Sequence, residues 1–140
     1  MFDKRRLLNQ SEINDFLNNN KNWVLKGNGI ERTLNFSNYM AGIEFINKLA
    51  VKSEEFNHHP DLIVGWCKIQ VRFSTHDLGG ISTFDMEMAE NSDSLFDLLI
   101  KNLLKTDQID EINKTNSEKI QWGVAQCNSF RLGFCLRMAA

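Results

Sequence analysis

The sequence predicts an α+β fold: a four-stranded antiparallel sheet with three helices packed on one face, in the order α-β-β-α-β-β-α, plus a C-terminal extension. Two observations carry this. Three stretches place apolar residues at helical spacing, and between them lie two pairs of short runs with strand character. At 140 residues the chain has the size of one domain, drawn here as residues 1–104. Residues 105–140 form the extension, in part a polar linker.

The elements follow in order. Asn9 or Ser11 can cap a first helix, with Glu12 in its first turn and Ile13, Phe16 and Leu17 as its apolar stripe. Asn18-Asn19-Asn20 ends it. Trp23 to Lys26 reads as a strand, Gly27-Asn28-Gly29 as a turn, and Ile30 to Phe36 as the returning strand. Ser37 or Asn38 caps a second helix, with Tyr39, Ile43, Ile46 and Ala50 as its buried stripe. A strand near Ile63 to Trp66 follows. Then Cys67, Ile69, Val71 and Phe73 alternate with polar residues towards Thr75, with the turn placed around Cys67. Ser82-Thr83-Phe84-Asp85 has the form of a capping box with Asp in the Glu place. It opens a third helix carrying Met86, Ala89, Phe96, Leu99, Ile100 and Leu103. Lys105 to Lys119 reads as a solvated linker or frayed helix. Phe130, Leu132, Phe134 and Leu136 alternate, which allows a strand.

All three histidines, His58, His59 and His76, lie between Glu54 and Asp85. Imidazole is the side chain whose ordinary pKa, about 6.5, suits proton exchange near neutrality. Pro60 fixes its own φ and biases His59 towards extended geometry, so Asn57-His58-His59-Pro60 ends a helix and starts a loop. His76 falls just past the alternating strand, before Gly79-Gly80. The start of a hairpin and the end of its second strand meet at one edge of a sheet, which lets the histidines face one pocket. Glu54, one helical turn before His58, can face that imidazole, or stand as a solvent-facing helix glutamate; the spacing allows both equally.

Glu54-x-x-x-His58-His59-Pro60, then Trp66, Ser74-Thr75-His76-Asp77 and Asp85, closely resembles the pterin-4a-carbinolamine dehydratases, over roughly Leu7 to Leu99. The resemblance implies a hydro-lyase. It would remove water from a 4a-hydroxytetrahydropterin to give the quinonoid dihydropterin and so recycle tetrahydrobiopterin for an aromatic amino acid hydroxylase. It implies His58, His59 and His76 as the catalytic set, with His59 and His76 as the proton-transfer pair and His58 orienting the hydroxyl-bearing face. Glu54 and Asp85 support them, the latter also as a helix cap. Pro60, Thr75, Asp77 and Leu78 would line the pterin pocket. Trp66 and Trp23 fill aromatic positions of the family; core or interface packing is the simpler reading of Trp66, and strand-to-helix packing explains Trp23 as well as a place near the pocket. Phe84 departs from the polar or charged residue of many relatives. The chemistry needs no cofactor or metal, the pterin being the substrate. Homodimers or homotetramers are implied as well. The alternative is a non-catalytic pterin-binding module, or a partner that stabilises the dimer of a transcription factor.

Composition bounds the rest. Charged residues make up 24% and the net charge is −2, so no basic field argues for nucleic acid. No apolar signal region follows Lys4-Arg5-Arg6, and no run reaches the length of a membrane span. Cys67, Cys127 and Cys135 lack zinc-ligand spacing and read as reduced thiols of a cytoplasmic protein. Cys67 itself reads as a buried, inert thiol. Adjacent residues of extended chain point to opposite sides, which makes His58 and His59 poor co-ligands for a metal.

Overall fold

The computed structural model describes residues 5–138; within the last helix, side chains are described to residue 106 and at 110, 111, 114 and 115. The elements are α1 (Gln10–Asn19), β1 (Val24–Lys26), β2 (Gly29–Asn35), α2 (Tyr39–Phe56), β3 (Asp61–Gly65), β4 (Lys68–Phe73), a 3₁₀ turn (His76–Leu78) and α3 (Thr83–Met138). The chain clusters into two units, Met1–Leu99 and Ile100–Ala140. The first contains the sheet; the second is helical through Met138. Among the described residues no helix is long and apolar enough to cross a membrane.

The four strands form one antiparallel sheet in the order β1-β2-β4-β3. Ile30 and Leu34 of β2 and Ile69, Val71 and Phe73 of β4 are all buried, and with the helices they make the core. Alternation drives this: Gln70 and Arg72 fall on the other face and are only half-buried, Arg72 donating to Asn28. Gly42 lets α2 approach the sheet, since a Cβ there would come within 3.1 Å of Ile69 Cδ1.

Local chemistry explains the boundaries. Asn9 caps α1 in a reciprocal box, its side chain accepting from the Glu12 N–H at 3.0 Å while the Glu12 carboxylate accepts from the Asn9 N–H at 2.9 Å. Hydrogen bonds from Arg6 and from the Asn9 amide hold the Glu12 carboxyl down at about 2. Asn38 caps α2 by accepting from the Ala41 N–H. Lys26 pairs with Gly29 across a two-residue turn whose first position is Gly27 at φ +61, as type II′ geometry favours.

The structure corrects three sequence readings. The buried side of α2 is Ala41, Gly42, Phe45, Leu49 and Ser53; Tyr39 and Ala50 are exposed, and Ile43 and Ile46 are only half-buried. Both rows have helical spacing, and Phe45 and Leu49 win because they meet the sheet. Cys67 is not part of the alternating face: with Trp66 it forms the two-residue turn between β3 and β4, in left-handed backbone at φ 57. The turn itself lies where the sequence places it, around Cys67. The segment 130–136 is helix rather than strand. The side chains of Ile109, Ile112, Trp122, Val124, Phe130, Leu132, Phe134 and Leu136, and the thiols of Cys127 and Cys135, lie outside the described residues.

Candidate active site

Antiparallel pairing assembles the site. Asp61, at the start of β3, lies opposite Arg72, near the end of β4. The loop before β3 and the loop after β4 therefore leave the same end of the sheet. The first carries His58 and His59; the second carries Thr75 and His76.

α2 ends at Asn57, which takes the left-handed conformation at φ 47, with its N–H returning to Glu54 and Ser53 carbonyls. The His58 N–H donates to the Ser53 carbonyl at 3.0 Å. This closure turns the His58 ring inward, where it is only 5% exposed. It stacks on Phe73, with ring centroids 6.2 Å apart, and meets Phe84 nearly edge-on at 6.3 Å. Its Nε2 lies 2.7 Å from Asp85 Oδ1.

Asp85 has no exposed surface, and both of its oxygens are engaged. Oδ2 accepts from the Thr75 hydroxyl at 2.7 Å and from the Ser82 N–H at 2.6 Å. Burial pushes this carboxyl up, but the hydrogen bonds from His58, the Ser82 amide and Thr75 outweigh it, leaving the group below the ordinary carboxylate range. An ionised Asp85 only accepts, so His58 Nε2 must carry a hydrogen.

The other two imidazoles are open. His59 keeps 55% of its side-chain surface, and its Nε2 lies 2.9 Å from Glu54 Oε1. His76 keeps 73%, with Nε2 3.9 Å from Asp61 Oδ2, on the residue after Pro60. The second loop is pinned where it begins and ends: the Thr75 N–H donates to the Gly80 carbonyl, and Gly79 turns the chain at φ +68. Residues 6–8 strap it from outside, the Leu8 N–H donating to Ile81 O and the Thr83 N–H to Arg6 O.

The expected Glu54–His58 contact is not formed. The left-handed turn at Asn57 swings His58 into the core and brings its neighbour His59 to Glu54. Thr75 is wholly buried, and its hydroxyl is spent on Asp85. Trp23 is also buried, its indole N–H directed at the Asp93 carboxylate, which in turn holds Arg32. Trp66 is 83% exposed at the β3–β4 turn. Asp77 and Leu78 are exposed, Asp77 accepting from Arg5 at 2.6 Å, and Pro60 is half-buried. Asp85 does double duty as the sequence allowed, facing His58 while accepting from the Ser82 amide at the start of α3.

Two contributors were not foreseen. Ser82 supplies an amide to Asp85 and a hydroxyl to Thr75, and Phe73 floors the His58 ring. The capping pattern named Ser82 only as a helix start, and Phe73 read only as core. Phe84 also lines an open cleft of about 420 Å³ with Lys52, Glu55 and Phe56.

Comparison with known proteins places the chain. The family model described as pterin 4 alpha carbinolamine dehydratase matches residues 6–95. A protein of Sulfurisphaera tokodaii, provisionally named as such a dehydratase, is 41% identical over 88 residues, 63% of this chain and 95% of the relative. Another from Paracidovorax citrulli with the same provisional name is 42% identical over 95 residues, covering 65% of this chain and 82% of the relative. The crystal structure titled transcriptional coactivator/pterin dehydratase from Brucella melitensis superposes with a TM-score of 0.62 at 25% identity, over 65% of this chain and 99% of that one.

Proposed function

Because this chain belongs to the pterin 4 alpha carbinolamine dehydratase family, we propose that it removes water from a 4a-hydroxytetrahydropterin to give the quinonoid dihydropterin. The observation that carries the reading is two solvent-facing imidazoles, each near a carboxylate, on the two loops at one end of the sheet, with a third imidazole on the first of those loops locked by a buried carboxylate. Hydroxide must leave C4a while N5 loses its proton. One imidazole protonates the departing oxygen and another accepts the N5 proton; positioned acid–base groups of this kind are each worth about 10²–10⁴-fold. His59 and His76 are accessible enough to exchange protons with a substrate and then with water. His58, bound to Asp85, is suited to holding the hydroxyl-bearing face. Pro60, Asp77 and Leu78 lie beside these groups along the two loops and would border the bound heterocycle. The open Trp66 and the buried Trp23 stand further along the sheet.

The test is to generate the carbinolamine, add the protein, and follow the quinonoid product by absorbance. His59→Ala and His76→Ala should each reduce turnover by about 10²-fold or more while unfolding within about 0.5 kcal/mol of the parent, as exposed substitutions do. Near-normal turnover in both variants overturns the reading. In the cell such an enzyme would work in the cytoplasm, recycling the pterin cofactor of an aromatic amino acid hydroxylase.

A second reading has its own observation. β3 is an edge strand with Ile63 67% and Val64 45% exposed, leading to Trp66. Such an edge is available for pairing with another chain. A second copy there would give the homodimer or homotetramer that the sequence resemblance implies. A different protein there would give a binding module, the role to which "coactivator" in the Brucella melitensis title points. Sedimentation at micromolar concentration separates the two: a self-associated chain supports the first, and a persistent monomer that fails to turn over carbinolamine supports the second.

A further inference from the structure

The hydroxyls of Thr75 and Ser82 sit outside any contact with solvent, yet their positions are tightly determined. Both residues have no exposed surface. Thr75 Oγ1 lies 2.7 Å from Asp85 Oδ2 and 2.6 Å from Ser82 Oγ. Ser82 Oγ accepts from the Phe84 N–H at 3.2 Å. A hydroxyl has one hydrogen and two lone pairs, and an ionised carboxylate has no hydrogen to give. The hydrogen of Thr75 must therefore go to Asp85, which leaves only a lone pair for Ser82. The Ser82 hydrogen must then go to Thr75. Every hydrogen in the chain has one direction, running from the Phe84 amide through Ser82 and Thr75 to the carboxylate.

The far end of this chain is His58. Its Nε2 faces the one oxygen of Asp85 that the hydroxyl chain leaves to it. We propose that Thr75 and Ser82 are positioning residues: through Asp85 they hold the neutral His58 ring as the Nε2–H tautomer, so that Nδ1 is the nitrogen presented to the reacting pterin. Without the Thr75 hydrogen bond, Oδ2 is held by the Ser82 N–H alone, and the carboxylate holds the His58 hydrogen on Nε2 less firmly. A ring whose hydrogen has moved to Nδ1 presents a donor where an acceptor is needed. The proposal rests on the dehydratase reading for its catalytic meaning, but the tautomer itself does not.

Two-bond ¹H–¹⁵N correlation of the imidazole nitrogens, at a pH where the ring is neutral, reads the tautomer in the parent protein. His58 should show a protonated Nε2 and a lone-pair Nδ1; the reverse pattern overturns the proposal whatever the activity. Thr75→Val keeps the shape and removes the hydroxyl. It should mix the two tautomers and lower kcat by about tenfold or more, the scale of a hydrogen bond to a charged group, with KM changed much less. Thr75→Ser should restore both the spectrum and kcat. A Thr75→Val protein with the parental spectrum and parental kcat also overturns the proposal. Should that variant not fold, Ser82→Ala cuts the hydroxyl chain one step earlier, and a parental spectrum with parental kcat there overturns the proposal. A protein that shows the expected tautomer but never dehydrates the carbinolamine leaves the hydrogen-bond chain standing and removes the proposed function instead.

Discussion

His58 and His59 are neighbours in sequence and opposites in setting. His58 is 5% exposed and sits in a nest of Phe73, Phe84 and a buried carboxylate. His59 keeps 55% of its side chain in water beside a carboxylate that is itself 80% exposed. One left-handed residue, Asn57, sits directly before the two and separates them from the helix that carries Glu54. The same side-chain type can then serve two ends. In the nest an imidazole is a fixed structural piece with one orientation. On the rim it is open to water, and so is its carboxylate partner. Stability should therefore reside in the nest and proton transfer in the rim.

The largest expected effect breaks the nest. Asp85→Ala leaves the His58 Nε2–H, the Thr75 hydroxyl and the Ser82 amide without their acceptor. Removing one partner of a buried, hydrogen-bonded pair typically costs about 3–5 kcal/mol, and orphaned buried donors alone cost about 1–3 kcal/mol each. Denaturant unfolding should show a loss in that range. A loss below about 0.5 kcal/mol, the size expected on the rim, would mean that the nest and the rim are energetically alike.

The contrast should also appear in pH. The folded carboxyl of Asp85 lies below its ordinary value of 3.8. A depressed folded pKa adds stability that is fully present above the unfolded value and is lost as pH falls through the folded one. The parent should therefore lose stability relative to Asp85→Asn as pH is lowered from about 5 through the range below 3.8. Glu12, held at about 2 by Arg6 and Asn9 at the start of α1, is present in both proteins and drops out of the difference. Parallel curves for the two proteins over that range would show that Asp85 is not charged and paired in the folded state.

The split explains what the sequence could and could not show. The element order and the sheet were readable, because alternation in Ile69, Val71 and Phe73, and caps such as Asn9 and Asn38, are local signals. The convergence of the two loops was readable too, because a hairpin returns its second strand to where its first began. The partner of Glu54 was misread because ideal helix spacing was carried past Asn57, where the helix has already ended. Thr75 was read as pocket lining because sequence adjacency to His76 says nothing about which of two neighbouring side chains turns inward. The wrong row of α2 was chosen because Tyr39, Ile43 and Ile46 are as apolar as Phe45 and Leu49. Only the sheet they pack on distinguishes the two.

The smallest expected effect sharpens the rim. Glu54 Oε1 lies 2.9 Å from His59 Nε2, with both groups more than half exposed. Exposed pairs contribute little to stability because water solvates both partners and the side chains lose freedom in meeting. Glu54→Gln should therefore leave unfolding within about 0.5 kcal/mol of the parent. The glutamine keeps the length and an acceptor oxygen, so it can still hold the ring without supplying charge. If Glu54 acts only by holding and polarising His59, turnover should fall by less than about tenfold, far short of the 10²–10⁴ expected for a proton-transfer group. The deficit should shrink further as salt is raised past about 0.1 M, where the Debye length is near 10 Å and exposed charges are increasingly screened. A Glu54→Gln protein as inactive as His59→Ala, at every salt concentration, would mean that the carboxylate itself carries the proton. The rim would then be a two-residue acid–base unit rather than an imidazole with a neighbour.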